Sequence, residues 1–266
     1  AIELKPDLFQ AHLNLGTILS NLGNLKEAEI SLRKAIELKP DLAEGYSNLG
    51  SIVKNLGKSK EAEYLHRKAI KINPNFAEAY YNLGNLLNDH GRLEEAELST
   101  RKAIKINPNF TNAYLNLGTI LSDLGNLKEA EINYRKAIEL DPSLEDAKYN
   151  LSLILLKTKN FKEGFNIYES RWKIRGNKKP FISSKPEWNP RNRGRVLLWA
   201  EQGIGDEILF SSLIPEFIKK IDQLIVKVDE RLIPLFKRSF DKGIIYIPRD
   251  RKLEEEKYDF QIAMGS

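Results

Sequence analysis

Prolines stand at Pro6, Pro40, Pro74, Pro108 and Pro142, each 34 residues after the last, and no other feature of the chain limits its fold so severely. A period of that length corresponds to one helical hairpin, which cannot bury its own apolar face and must stack on copies of itself. The other marks of the unit keep phase with the prolines. Leu-Gly recurs at Leu15-Gly16, Leu49-Gly50, Leu83-Gly84 and Leu117-Gly118. Alanine recurs at Ala28, Ala62, Ala96 and Ala130, and again at Ala35, Ala69, Ala103 and Ala137. Four full units are therefore predicted, over 9–42, 43–76, 77–110 and 111–144. An altered fifth follows from Glu145 to about Gly176, with Ser152, Gly164 and Arg171 at the three small positions; it reads as a terminal cap.

Within a unit, the glycine of the first helix is expected to face the alanine of the second, since two helices approach closely only where side chains are small. Gly23, Gly57, Gly91 and Gly125 are expected to end the first helices in a left-handed conformation. Each proline stops a second helix, and the residue after it (Asp41, Asn75, Asn109 or Ser143) is the expected N-cap of the next. The opening Ala1–Pro6 reads as the tail of a second helix, which makes the sequence a piece of a longer array with an edge near Phe9 that frays.

This pattern resembles the tetratricopeptide-repeat family over residues 1–176, about two thirds of the chain. The resemblance implies a mainly α protein, a right-handed α-solenoid that holds a partner polypeptide in its concave groove. Two positions depart from the family pattern. The usual tryptophan of the first helix is His12, Tyr46, Tyr80 and Tyr114, and the aromatic expected on the second helix is Leu32, His66, Thr100 and Tyr134. One polar position is constant in all five units: Asn14, Asn48, Asn82, Asn116 and Asn150. A carboxamide both donates and accepts, so a row of them on the first helices could pair with successive amides of an extended peptide. Here the chain resembles the superhelix of O-linked N-acetylglucosamine transferases, which implies that use. The same amide could instead tie one hairpin to the next. Tyr81 and Tyr149 adjoin the row and complete the candidate peptide-binding set.

After residue 176 the character changes. Residues 177–195 read as a connector containing Pro180, Pro186, Trp188 and Pro190. The net charge of +5 is concentrated here, with nine basic residues against the single acid Glu187 between Arg171 and Arg195. Such a run reads as a solvated linker; no aromatic-interleaved basic groove for single strands is read in it, and no nucleic-acid partner is expected. From Val196 to Ser266, short apolar runs near 196–200, 224–228, 244–247 and 260–263 alternate with amphipathic stretches. That alternation predicts a partial α/β domain with a parallel, Rossmann-like sheet.

Gly203-x-Gly205 at a helix start is a candidate phosphate or sugar turn. The third glycine of a dinucleotide fingerprint is replaced by Ile208, and no Walker lysine follows. Gly205-Asp206, an apolar helix and Pro215 resemble heptosyltransferase-type glycosyltransferases. Tyr168-Glu169, Arg171-Trp172, the tryptophan-containing connector and Ala200–Asp206 resemble bacterial proteins that join tetratricopeptide repeats to such a GT-B domain. The resemblance implies that 196–266 is the acceptor half of the enzyme and that Asp206 accepts the proton of the attacking hydroxyl. A nucleotide sugar would be bound by a half beyond Ser266, so the chain alone is expected to be inactive and to hold no cofactor. Read without the resemblance, Asp206 is the N-cap of its helix. Two other readings remain: a catalytically silent scaffold, and an adenosylmethionine-dependent methyltransferase suggested by Glu201-x-Gly203-x-Gly205 with Asp229.

Several classes are excluded. There is no cysteine, so thiolate and disulfide chemistry are absent. His12, His66 and His90 fall in three different phases of the repeat, without metal-ligand spacing. No apolar run approaches the ~20 residues that span a bilayer, and no secretory pattern opens the chain, so a cytoplasmic protein without membrane contact is expected. The oligomeric state is left open.

Overall fold

The computed structural model describes residues 7–174, 181–201, 203–240 and 243–264; the expected helix tail Ala1–Pro6, part of the connector and Gln202 lie outside them. Two compact units follow one another, one running to Ser170 and one beginning at Arg171.

The first unit is five helical hairpins: α1 Phe9–Asn21 with α2 Leu25–Leu38, α3 Ala43–Asn55 with α4 Ser59–Ile72, α5 Ala77–Asp89 with α6 Leu93–Ile106, α7 Thr111–Asp123 with α8 Leu127–Leu140, and α9 Glu145–Lys157 with α10 Phe161–Tyr168. The turn glycines behave as expected, with φ of +81° at Gly23 and Gly57, +70° at Gly91 and +80° at Gly125. In the fifth hairpin the same place is taken by Lys159, at φ +67°.

Two packing details differ from the sequence reading. A Cβ on the first-helix glycine would meet the side chain sixteen residues on, rather than the alanine side chain. At Gly118 it would lie 2.6 Å from the Tyr134 ring, and at Gly50 2.7 Å from the His66 ring. The alanine contributes its carbonyl, with Ala28 O 3.3 Å from the position at Gly16 and Ala96 O 3.3 Å from that at Gly84. Its methyl group is buried, so smallness at both positions still lets the hairpin close.

The N-caps also move. Leu42, Phe76, Phe110 and Leu144 precede the first helices, and none makes a side-chain cap. The turn is instead tied by the residue before the proline. Asn73 Oδ1 accepts from Asn75 N at 3.0 Å, Asn107 Oδ1 from Asn109 N at 3.1 Å, and Asp141 Oδ1 from Ser143 N at 2.9 Å. The chain must turn before the helix begins, and a short side chain accepting two residues on does this with the helix N–H groups left out.

The second unit is built on a four-stranded, all-parallel sheet: β1 Arg195–Trp199, β2 Gln223–Val228, β3 Ile245–Pro248 and β4 Phe260–Ala263, in the order β3-β2-β1-β4. The amphipathic stretch after β1 is split into two helices. α11 Ile204–Ser211 ends before α12 Ile214–Phe217, which places Pro215 in its first turn, where a missing N–H costs nothing. α13 spans Ile233–Ser239. Val196, Leu198, Leu224, Val226 and Phe236 fill the core on one sheet face; Leu197, Ile225 and Tyr258 with Phe181 fill the other.

Part of the segment read as a solvated connector is laid on this sheet. Glu187 bridges to Gln261, Trp188 N donates to Gln261 O at 2.8 Å, and the Trp188 ring packs edge-on against Phe217 at 4.7 Å. Among the described residues no helix is long and apolar enough to cross a membrane.

Candidate functional site

The asparagine row is legible as geometry. Asn14 is exposed, while the other four are half-buried on their first helices. Asn48 Nδ2 lies 3.5 Å from Thr17 Oγ1, Asn82 Nδ2 donates to Ser47 Oγ at 3.2 Å, and Asn116 Nδ2 to Thr100 Oγ1 at 3.4 Å. Asn150 bonds the Tyr134 hydroxyl. Each of these partners belongs to the preceding hairpin. Thr17 and Thr100 already donate their hydroxyl protons to Leu13 O and Ala96 O. The amide must therefore be the donor in those two rungs, which fixes its orientation. Within the described residues no hydrogen bond reaches Oδ1 of Asn48, Asn82 or Asn116. The tie between hairpins thus uses the NH2 half of the carboxamide and leaves the oxygen.

Tyr81 and Tyr149 are half-buried and each meets a neighbouring aromatic: the Tyr81 ring lies 4.9 Å from Phe110, and Tyr149 lies 5.9 Å from Tyr168. Asp89, the last residue of α5, is paired with Lys54 at 2.6 Å, joining α3 to α5.

The sequence reading missed a second periodic structure. Arg33 contacts Glu29 at 2.6 Å in its own helix and Glu61 at 2.5 Å in the next second helix. Arg67 does the same with Glu63 and Glu95, Arg101 with Glu97 and Glu129, and Arg135 with Glu131 and Glu163. Hydrogen bonds from Lys58 and then Arg33 hold the Glu29 carboxyl below the usual range, and Arg135 does so for Glu163. The signal was present as Glu-x-x-x-Arg in the first four second helices, with a further glutamate 28 residues after each arginine, a spacing that means nothing until the repeats are stacked.

In the second unit the candidate turn leaves the carboxyl end of β1. Gly203 is the N-cap of α11, with φ −79°, and no side chain caps the helix. Asp206 is therefore not the N-cap: it is the third helical residue, half-buried, its carboxylate in the first turn. Gly203 and Gly205 are exposed; a Cβ at Gly205 would meet nothing within 4 Å, and one at Gly203 only Asp206 Oδ2 at 3.9 Å. Neither glycine has a positive φ.

Two buried carboxylates bracket the turn. Glu201 is held by Arg171, Nη2 lying 3.1 Å from both carboxylate oxygens and Nε 3.2 Å from Oε2, with both side chains almost fully buried. Arg171 stacks over Trp172, whose ring lies 5.5 Å from Trp199 at the end of β1. Glu207, 2% exposed, accepts from Asp229 N at 2.8 Å and pairs with Arg249, so α11 is pinned to the ends of β2 and β3. Asp229 itself binds Arg231 through its backbone N–H and guanidinium. The methyltransferase reading thus rests on two acids that are already engaged. Burial pushes the Lys227 ammonium down; its Nζ lies over the Phe181 ring at 4.8 Å. Among the described residues no three histidines, cysteines or acids gather as metal ligands.

Comparison with known proteins defines the first unit. Tetratricopeptide-repeat models match residues 9–42, 77–110 and 111–144, and a further TPR-repeat model matches 55–91. The helical array is accordingly built of tetratricopeptide repeats. Among curated proteins, FlbA of Caulobacter vibrioides is 33% identical over 91 residues, which span 30% of this chain and only 14% of FlbA. Among solved structures, PilF of Pseudomonas aeruginosa is 22% identical with a TM-score of 0.58, over 60% of this chain and 75% of that one. YrrB, described as a TPR protein with an unusual peptide-binding site, is 26% identical with a TM-score of 0.52, over 66% of this chain and 90% of its own. TTC0263, a thermophilic TPR protein from Thermus thermophilus, is 21% identical with a TM-score of 0.53, over 62% and 90%.

Proposed function

We propose that the array holds an extended polypeptide along its first helices, and that the asparagine oxygens accept its backbone N–H groups. The carrying observation is the division of labour in each interior carboxamide: the NH2 is spent on the neighbouring hairpin, and the oxygen is left over at one regular place per repeat. Such a row grips main chain and ignores side chains. The peptide-binding site for which YrrB is described, in an array 26% identical to this one, lends this support.

A labelled Ser/Thr-rich peptide titrated by anisotropy against the chain tests it, beside a copy of the peptide N-methylated along its backbone. The N48A/N82A/N116A variant removes three acceptors worth ~1 kcal/mol each, so affinity should fall about 100-fold. Equal binding of that variant, or of the N-methylated peptide, would sink the reading.

The second unit we read as the Rossmann-like acceptor half of a glycosyltransferase that modifies the held polypeptide. In parallel sheets ligands bind beyond the carboxyl ends of the strands, where strand order reverses; here that place lies between β1 and β4. The open space at Gly205 leaves room for a sugar or phosphate, the α11 N–H groups supply donors, and Asp206 would take the proton of the attacking hydroxyl. The clamps on Glu201 and Glu207 hold this turn from both sides. The assay is sugar transfer from a panel of nucleotide sugars by the protein that carries this sequence, read by intact mass. Transfer surviving Asp206→Asn at full rate would remove the base.

A further inference from the structure

Four residues break the polar character of the outward side of the second helices. Ile30, Tyr64, Leu98 and Ile132 occupy one phase of the repeat, and between 65% and 70% of each is exposed. Single exposed apolar side chains are ordinary, but four in one register on successive helices form a stripe. The fifth hairpin carries Asn166 at that place.

The charges beside the stripe are unequal. Most of the glutamates nearest it are taken by the arginine ladder, two to each arginine, with Glu27 and Glu94 outside it. The lysines are not. Lys26, Lys60 and Lys128, four residues before a rung, and Lys68 and Lys102, four after, make no ion pair among the described residues. Lys34 and Lys136 contact only the exposed Glu37 and Glu139. The stripe therefore runs between two mainly basic rows, the first interrupted by Glu94 in the third hairpin. A second copy of the chain would set lysines against lysines, whereas an acidic helix would set glutamates against them.

The spacing fits a helix as well. Successive second helices are close enough for Arg33 to reach Glu61, a separation on the order of 10 Å for neighbouring helices. Seven residues of an α-helix rise roughly 10 Å, so apolar residues at heptad spacing fall on successive rungs. We infer that this face docks an acidic amphipathic helix of another polypeptide, lying across α2, α4, α6 and α8. The proposal is independent of the asparagine row, which lies on the first helices.

A synthetic helix of four heptads, with one leucine per heptad flanked by glutamates, is the probe, and a scrambled peptide of equal composition is the control. Binding to the full chain is read by anisotropy at two salt concentrations. Y64E/L98E should weaken it about tenfold or more with an unchanged circular-dichroism melt, because both side chains are exposed. K68E/K102E should weaken it and flatten its salt dependence, and N82A/N116A should leave it unchanged. Three results would overturn the proposal: equal binding of Y64E/L98E, equal binding of the scrambled peptide, or a wild-type dimer in sedimentation that Y64E/L98E converts to monomer, which would give the face to a second copy.

Discussion

The two units solve the problem of holding charges and turns in place differently. In the array each stabilising contact is one copy of a set: a glycine against the residue sixteen on, an asparagine against a neighbour's hydroxyl, an arginine between two glutamates. In the sheet unit the contacts that hold the candidate turn occur once, as Arg171 on Glu201 and Glu207 on Asp229 N and Arg249. Repetition spreads the cost of a fault over neighbours, while a singular buried contact concentrates it.

The largest expected effect follows from that difference. Glu201→Ala removes the buried carboxylate that Arg171 holds, and breaking such a buried pair costs about 3–5 kcal/mol. Hydrogen exchange should show the sheet unit losing protection while α3 to α8 keep theirs. Equal loss in both units would erase the distinction.

Next in size is a pH effect inside one repeat. Burial, and then the charge of Lys54, pushes the His66 imidazole down to about 4. The unfolded chain takes up this proton near pH 6.5 and the folded one does not, so stability is full above that value. It falls by up to about 1.4 kcal/mol per pH unit until about pH 4. His66→Leu, which copies Leu32 of the first hairpin, should flatten urea midpoints across that window; unchanged pH dependence would refute the assignment.

Third, Gly118→Ala drives a methyl group into the Tyr134 ring and should cost about 1–3 kcal/mol by thermal melting. Gly57→Ala meets no atom, and pays only the left-handed backbone term of roughly 1 kcal/mol. If the two cost the same, the close approach is not what selects glycine at the first-helix position. The smallest effect is a gain. Lys159→Gly relieves a left-handed lysine, offset in part by glycine's greater freedom when unfolded, and should stabilise the last hairpin by a few tenths of a kcal/mol to about 1.

The array was readable because its signals are local and repeated. Proline and glycine spacing placed all ten helices, and the β strands followed from short apolar runs to within a residue or two. The errors came where one residue type serves two geometries. Asn75 and Asn109 look like N-caps, but the turn uses Asn73 and Asn107 one step before the proline. The residue most constant in the sequence, Ala62 or Ala130, looks like the glycine's partner, but steric contact falls on the variable His66 or Tyr134. The site around β1 was less legible. Gly203, Gly205 and Asp206 carry a local pattern, but Arg171 and Glu201 are joined across 30 positions, and nothing in either neighbourhood announces the pair.

The arginine ladder bears on how such a protein changes length. Each interior hairpin brings an Arg at one edge and a matching Glu at the other, so any hairpin duplicated in tandem finds both halves of its seam already supplied. Gene-level gain or loss of a whole 34-residue module would leave no orphaned charge, whereas a change of any other length would break the seam inside which it falls.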